Sequence, residues 1–178
     1  REHGGVFPNS SAALAQLPGI GRSTAAAIAA FCFGERVAIL DGNVKRVLGR
    51  ALGFAGDLSV AAQERALWQL AQDQVPARGV APYTQGLMDL GATLCSVRNP
   101  ECDRCPLAKL CVARSEGRPD RLLRLFDALD RQRHVHHLGP DPAVDLSGHV
   151  GVGLEELLGG LPSLAEARLV EGEPGPGL

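Results

Sequence analysis

The chain has 178 residues, a formal net charge of −2 and a hydrophobic fraction of 45%, enough for one domain with an apolar core or for a domain with an appendage. Only 4% of the residues are aromatic, so the core is expected to consist of Leu, Val, Ile and Ala, which favours small packed helices over a β-sandwich. No apolar run approaches the roughly 18 residues of a membrane span, so no transmembrane helix is predicted.

Charge is unevenly distributed along the chain. Residues 1–115 carry 12 Lys and Arg against 9 Asp and Glu, whereas residues 116–178 carry 6 against 11. A mildly basic first part is compatible with a nucleic-acid partner without requiring one. Because the sequence begins at Arg1 and not at a methionine, we expect a fragment of a longer protein.

Helical patterns dominate the first 115 residues. Asn9 or Ser10 can cap a short helix that runs to Ala15. After a turn with two glycines, an Ala-rich helix is predicted over residues 22–33, and Gly34 is expected to end it.

Three further helices are predicted between residues 41 and 95. Asp41 opens the first, in which apolar residues recur at positions 44, 47, 48, 51 and 52, and Gly53 ends it. Ser59 is expected to cap the second, and Pro82 to begin the third, which leads directly into Cys95. No strand alternation of useful length occurs, so the predicted fold class is all-α.

Four of the five cysteines form a compact set, Cys95-x6-Cys102-x2-Cys105-x5-Cys111. In a chain without an export signal, such a set indicates metal or iron–sulfur ligation before disulfides. The spacing favours one iron–sulfur cluster, but zinc stays open because Cys102-x2-Cys105 is also a zinc-ribbon element. The fifth cysteine, Cys32, lies on the apolar stripe of the Ala-rich helix and is expected to be buried.

The segment 17–25 (Leu-Pro-Gly-Ile-Gly-Arg-Ser-Thr-Ala) predicts a hairpin between two helices. Gly19 and Gly21 allow positive φ and close approach by another backbone, so nearby amides and the next helix start can face a phosphate oxygen. Ile20 is expected to pack inward. An ordinary turn between helices is the alternative, and the flanking Leu-Pro and Ala-rich helix favour binding to the DNA backbone.

At this point a family resemblance emerges. The hairpin, the segment 40–48 (Leu-Asp-Gly-Asn-Val-Lys-Arg-Val-Leu) and the four-cysteine loop occur in this order in helix-hairpin-helix DNA glycosylases with a 4Fe–4S cluster. Together with residues 88–92 (Met-Asp-Leu-Gly-Ala) they resemble the MutY-type adenine DNA glycosylases in particular. The resemblance covers about residues 3–114.

The resemblance implies a partial helix-hairpin-helix glycosylase fold over residues 1–115, with a 4Fe–4S cluster held by the loop of residues 95–111. It also implies base-excision DNA repair in the cytoplasm by a monomer that removes adenine mispaired with 8-oxoguanine or guanine from duplex DNA. For residues 116–178 we expect an irregular tail, because no Nudix-like domain is recognisable there.

The same resemblance assigns roles to single residues. Asp41 would stabilise or trap the cationic sugar as the base departs, and Asn43 would support it by hydrogen bonding. From local sequence alone, a structural role as N-cap or first-turn carboxylate of its helix is favoured for Asp41, and the resemblance reverses that preference. Lys45 and Arg46 are expected to meet phosphates or solvent, and the resemblance places the following residues at the DNA: Gly19, Gly21, Arg22, Ser23, Lys45 and Arg98.

Ser23 separates two subclasses of the family. Endonuclease III-like relatives place a lysine here, whose amine forms a Schiff base with the sugar before strand cleavage. A serine implies a monofunctional glycosylase, although it could simply cap the helix. An endonuclease III-like glycosylase/lyase therefore stays open as one alternative, and an inactive DNA-binding module as another.

One part of the family's machinery is not found. The glutamate that protonates the departing adenine lies on a helix upstream of the hairpin, and residues 1–16 contain no match to that helix. Base departure needs both leaving-group protonation and stabilisation of the cation. We therefore expect weak or no catalysis by this chain alone.

Overall fold

The computed structural model describes residues 5–119. The expectations for the tail lie outside this range from residue 120 onward. Residues 5–119 form helices, turns and loops without a strand, which confirms the predicted all-α class for this part. The helices in chain order are α1 (Ser11–Leu14), α2 (Arg22–Phe33), α3 (Gly42–Leu52), α4 (Ala61–Asp73), α5 (Val80–Ala92) and α6 (Val112–Ser115).

Helices α1 and α2 form the predicted hairpin. Ser10 caps α1 by accepting a hydrogen bond from the backbone N–H of Ala13 at 3.3 Å. Leu14 packs with Ala25 and Ala29 of α2 in a small buried cluster, to which Ile20 contributes from the turn as expected. The Glu35 carboxylate, just beyond α2, accepts hydrogen bonds from the N–H and hydroxyl of Ser11. The hairpin is thus fixed at both its turn and its open end.

Helix α3 lies at the centre of the larger core. Its apolar face, including Val44, Val47 and Leu48, packs with buried residues of α4 and α5, among them Leu67 and Leu87. On the α5 side Gly91 allows very close approach, because an added Cβ there would lie 2.6 Å from the Cβ of Asn43. Burial of these aliphatic side chains is the main source of stability.

The segment between α2 and α3 is extended and tied to α4. Ala38 donates its backbone N–H to the Oε1 of Gln72 at 2.9 Å, and the Gln72 amide donates back to the carbonyl of Arg36. The Arg36 guanidinium donates to the carbonyl of Val75 at 2.7 Å. The apolar residues 38–40 are buried, so the chain enters Asp41 from a fixed position.

The ends of α2 and α3 agree with the sequence prediction, and the starts of α4 and α5 do not. Gly34 and Gly53 both adopt the left-handed conformation, with φ of +67°, and end their helices. Ser59 does not cap α4, since its N–H and hydroxyl both donate to Asp57 and Val60 occupies the cap position. Helix α5 begins two residues before Pro82, at Val80.

The expectation for Cys32 is wrong. Its thiol is exposed near the end of α2, between Phe31 and Phe33, which are 41% and 45% exposed. The buried face of α2 consists instead of four alanines, at positions 25, 26, 29 and 30.

No helix in residues 5–119 is long and apolar enough to cross a membrane.

Candidate functional site

The hairpin turn presents an open backbone. Gly19 has a φ of +80°, which favours glycine, and both Gly19 and Gly21 are exposed. No atom lies within 4 Å of the Cβ position at either glycine, so another backbone can approach the turn closely. The start of α2, a helix of 12 residues, follows immediately and adds its unpaired N–H groups.

Ser23 links the hairpin to the segment before Asp41. Its Oγ accepts a hydrogen bond from the backbone N–H of Leu40 at 3.1 Å. The cap position of α2 is Gly21, without a side-chain cap, so helix capping by Ser23 is wrong. The hydroxyl instead holds the residue that precedes Asp41, and it brings two candidate site residues from different helices together.

Asp41 is the N-cap of α3, as its local sequence indicates. Its Oδ1 accepts from the backbone N–H of Val44 at 2.7 Å, and its own backbone is extended, with φ of −79°. The side chain is half-buried and therefore still reachable. The cap orients the carboxylate at the positive end of the helix, where an ionised oxygen is favoured.

Arg22 is held against the only tryptophan of the chain. Its guanidinium lies over the ring of Trp68 in α4, 3.9 Å from the ring centroid, in a cation–π contact. Trp68 is 8% exposed, whereas Arg22 is exposed at the start of α2. Stacking on one face leaves the N–H donors at the edge of the guanidinium plane available for a phosphate.

The structure corrects the expectations for the two basic residues of α3. Lys45 forms an ion pair with Glu64 at 2.7 Å and is 18% exposed, so it is not an isolated cation. Arg46 is 7% exposed and does not face solvent. Lys45 and Arg46 are expected from sequence to meet phosphates or solvent, and for Arg46 the packing of α3 against α5 overrides this expectation.

Arg46 connects the start of α3 to the cysteine loop. It donates to the Oδ1 of Asn43 at 2.8 Å, to the carbonyl of Cys95 at 2.7 Å, and to the carbonyl of Gly91. Asn43 is thus bonded to Arg46, and no hydrogen bond between Asn43 and Asp41 is seen in the described residues. The hydrogen bond that Asn43 does make runs through Arg46 toward Cys95.

The four predicted ligand cysteines line one cavity. It encloses about 330 Å³, part of it open to solvent, and its walls also include Arg50, Leu94, Pro100 and Arg114. The thiols of Cys95, Cys102, Cys105 and Cys111 are all half-buried and free. Within residues 5–119, no three His, Cys, Asp or Glu side chains converge closely enough to hold a single metal ion.

The surroundings disfavour negative charge on two of these thiols. Burial raises the pKa of Cys105 and of Cys111, and the neighbouring cysteines of the set raise each further, partly offset by backbone N–H donors at Leu107 and Arg114. Positive charge close to the sulfurs, from a side chain or from bound metal, favours their thiolate forms.

Arg50 is a functional candidate that the sequence prediction missed. It is 2% exposed, and its side chain donates to the Cys95 sulfur and to backbone carbonyls of the loop that follows. The signal that could have revealed it is its spacing of four from Arg46, since residues at i and i+4 share a helix face. Two arginines on the same face of α3 predict that the segment packed against this face lies next to two positive charges.

The loop between Cys95 and Cys102 presents Arg98 to solvent. The carbonyl of Arg98 accepts from the Ser96 hydroxyl at 2.6 Å, and Asn99 adopts a left-handed φ of 51°. Arg98 is exposed, as expected for a phosphate contact. Arg104, farther along the same cysteine loop, is paired with Glu101.

Comparison with known proteins agrees with this geometry. The family model of the helix-hairpin-helix motif matches residues 2–31. The adenine DNA glycosylase of Buchnera aphidicola subsp. Acyrthosiphon pisum (strain APS) is 41% identical over 116 residues, and that of Homo sapiens 42% over 123 residues. Over about two thirds of its length, this chain is therefore similar in sequence to adenine DNA glycosylases.

The solved structure of a thermostable thymine-DNA glycosylase matches this chain with a TM-score of 0.57 and 35% identity, over 65% of this chain and 52% of that one. These comparisons confirm the predicted resemblance and the helical glycosylase fold. The alignments cover 65% and 68% of this chain for the Buchnera and human relatives. The chain spans about a third or less of those two relatives, namely 33% and 22% of their lengths.

Proposed function

We propose that this chain serves base-excision DNA repair as part of a monofunctional adenine DNA glycosylase, acting on adenine mispaired with 8-oxoguanine or guanine. Residues 1–115 form its glycosylase unit and bind the DNA duplex as a monomer. A reducing, cytoplasmic location belongs to the proposal, because all five cysteines are free thiols. Relatives named adenine DNA glycosylases support the choice of base.

The observation that carries the proposal is that the residue before Asp41 is hydrogen-bonded to the hairpin proposed to bind DNA. Ser23 of the hairpin bonds to Leu40, and the next residue presents a half-buried, helix-capped carboxylate. A fixed carboxylate can stabilise the oxocarbenium-like sugar that forms as the bond to the base breaks. Asp41 is therefore the proposed catalytic residue, and Asn43, bonded to Arg46, supports the helix start.

The reaction class follows from the chemistry at position 23. A serine hydroxyl that accepts from Leu40 has no amine for a Schiff base with the sugar. Water is then the nucleophile that completes hydrolysis. A serine at this position therefore favours a monofunctional glycosylase over the endonuclease III-like alternative. The role of its hydroxyl is structural, as the acceptor for the Leu40 N–H.

DNA contacts are assigned to two surfaces. The open turn at Gly19 and Gly21, with Arg22 stacked on Trp68, suits the phosphates next to the flipped nucleotide. Arg98 on the cysteine loop would reach the backbone elsewhere. Lys45 is retained only as a weaker contact, because Glu64 already neutralises it.

The cysteine cavity fits a 4Fe–4S cluster better than one zinc ion. The four thiols surround one cavity but do not converge on a single point. Ligands of a cluster with four irons are spread out in this way, whereas the ligands of one tetrahedral zinc ion all converge on the metal. The buried Nε of Arg50 lacks a hydrogen-bond partner at the cavity wall. When bound, the cluster supplies four iron–thiolate bonds that fix the loop of residues 95–111.

The proposal is tested by binding and not by turnover, because we assign no general acid among the described residues. Two duplexes are compared, one with a neutral abasic analogue opposite 8-oxoguanine and one with a cationic pyrrolidine analogue of the sugar. We expect the chain to prefer the cationic duplex by about tenfold or more, since one charge contact of that kind contributes roughly 1.4 kcal/mol or more. In Asp41→Asn the preference disappears.

A matched control is Asp73→Asn, at the exposed end of α4, which keeps the preference. An unchanged preference in Asp41→Asn would refute the role of Asp41. Failure of the chain to bind either duplex would refute the DNA-binding assignment. Trapping of a covalent adduct with borohydride would favour the lyase alternative over the monofunctional one.

A further inference from the structure

Arg50 is a buried guanidinium fixed by the backbone of the cysteine loop. Its Nη1 donates to the carbonyl of Ser96 at 2.7 Å and to that of Cys95 at 3.5 Å, and its Nη2 donates to that of Val97 at 3.2 Å. The Nη1 also lies 3.3 Å from the Cys95 sulfur. The Cys111 thiol donates to the Arg50 carbonyl at 3.5 Å, so this one residue contacts both ends of the cysteine set.

The charge of Arg50 is not balanced by a carboxylate. Within residues 5–119, the ion pairs are made by Lys45, Arg104 and Arg114 and not by Arg50. Backbone carbonyls satisfy donors but carry no net charge, and a cation that is 2% exposed pays a large desolvation cost without a counter-charge. Its Nε is buried without a hydrogen-bond partner. The cavity that Arg50 lines is therefore built for an anionic occupant.

We propose that Arg50 is a positioning residue whose buried positive charge retains an anionic, thiolate-ligated iron–sulfur cluster in the cavity and raises its reduction potential. This inference rests on the iron–sulfur part of the proposed function. The four negative charges of the thiolates exceed the positive charge of the iron–sulfide core, so a cluster bound by them is anionic overall. A guanidinium at hydrogen-bond distance from one ligand sulfur stabilises that charge in a medium of low dielectric constant. It stabilises the reduced form more, because reduction adds one negative charge.

A second arginine of the same cavity provides a matched control. Arg114 also lines the cavity, but its side chain is 39% exposed and paired with Asp103 at 2.9 Å. Solvent and the carboxylate already screen its charge. Arg50→Met and Arg114→Met each remove one positive charge and the same number of donors from the wall of the cavity. The two arginines that they replace differ in burial and in whether a carboxylate pairs with them.

The experiment compares the full chain with Arg50→Met, Arg50→Lys and Arg114→Met, each reconstituted with ferrous iron and sulfide. Iron and acid-labile sulfide per chain, the rate of iron loss to a chelator, and the reduction potential are measured, with circular dichroism as the check of folding. We expect Arg50→Met to lose iron about tenfold faster than the parent. We also expect its cluster to have a lower reduction potential, where each tenfold change in the ratio of reduced to oxidised cluster corresponds to about 59 mV. Arg114→Met is expected to match the parent.

Arg50→Lys separates charge from scaffolding. A lysine keeps the positive charge but loses the planar fork that bonds three carbonyls. We expect its potential to stay near that of the parent, whereas a purely structural role would leave both Arg50 variants equally poor in iron with an unshifted potential. If Arg50→Met does not fold, the iron content of Arg50→Lys decides: iron near that of the parent supports the charge role, and low iron at an unshifted potential contradicts it.

Equal iron retention and equal potential in Arg50→Met and Arg114→Met would overturn the proposal while leaving the cluster assignment intact. Recovery of the parent chain with zinc and without iron or sulfide, even after reconstitution, would instead overturn the iron–sulfur assignment on which it rests.

Discussion

At the scale of single residues, Ser23 is the point at which the hairpin and the candidate catalytic segment meet. Its hydroxyl accepts the backbone N–H of Leu40, which lies in a buried apolar segment. Ser23→Ala would leave that N–H without a partner, so we expect the free energy of unfolding to fall by about 1–2 kcal/mol. Urea unfolding measures this loss, and the preference for the cationic duplex should weaken as Asp41 becomes less well positioned.

The control for Ser23 is Ser115→Ala. Ser115 is exposed in α6, and its hydroxyl donates to the carbonyl of Val112 within the same helix. Removal of such an exposed hydroxyl is expected to change stability by no more than about 0.5 kcal/mol. If both variants unfold at the same urea concentration, the link between Ser23 and Leu40 has no energetic importance.

Arg22 allows a second residue-scale prediction. Arg22→Met should reduce duplex affinity equally for all DNA sequences and lower the slope of log affinity against log salt by about one unit, because one phosphate contact is lost. The exposed Arg104, already paired with Glu101, is the control, and Arg104→Met should leave the slope unchanged. Because Trp68 is the only tryptophan, its fluorescence should change when DNA binds the parent chain. A salt slope that is the same in Arg22→Met and the parent would exclude the contact.

Motif residues were predictable from sequence and buried charges were not. The four cysteines, Ser23 and Asp41 were selected because their types and spacing carry specific chemistry. Arg46 and Cys32 were misjudged, and Arg50 was missed, because arginine is usually exposed and cysteine usually buried. Their positions depend on which elements pack against α3 and α2, and local sequence does not specify that.

At the scale of elements, the contact between α3 and α5 depends on Gly91. An added Cβ there would lie 2.6 Å from the Cβ of Asn43 and 3.0 Å from its carbonyl oxygen. Gly91→Ala must push the two helices apart and displace Arg46 from the Gly91 carbonyl. We expect a net loss of about 1–3 kcal/mol from the free energy of unfolding, even though alanine favours a helix.

The matched variant is Gly42→Ala at the first residue of α3, where no atom lies within 4 Å of the Cβ position. It is expected to be neutral or slightly stabilising. Chemical unfolding of both variants separates the close approach at Gly91 from the general effect of replacing a helical glycine. A loss of equal size at both positions would contradict the packing argument.

Helix ends were predicted well where glycine decides them and poorly where polar side chains compete. Gly34 and Gly53 stop α2 and α3 because each adopts a left-handed conformation that other residues avoid. Ser59 was assigned as a helix cap because of its residue type, but its hydroxyl donates to the carboxylate of Asp57 instead. Pro82 is tolerated inside the first turn of α5 because the N–H it lacks would have no helical partner there.

At the scale of the whole molecule, α3 joins the two candidate sites. Asp41 caps one end of this helix, while Arg46 and Arg50 bond to the loop at Cys95. Fixing that loop therefore also restrains the helix that carries the carboxylate. This arrangement was not predictable from sequence, since it depends on hydrogen bonds from two arginines to a residue that lies 45 or more positions away in the sequence.

Catalysis by this chain alone is expected to be weak or absent. Base release needs a proton for the departing adenine and a carboxylate for the developing cation, and the role proposed for Asp41 would supply only the second. The measurement is a single-turnover assay with excess chain on a duplex with one adenine:8-oxoguanine pair, followed by alkaline cleavage at abasic sites. We expect the parent chain to bind this duplex tightly in a salt-dependent way and to release little adenine. Asp41→Asn should weaken binding to the cationic analogue clearly, while its adenine release should differ little from that of the parent. Robust release by the parent chain that Asp41→Asn abolishes would show that residues 1–178 also contain the acid.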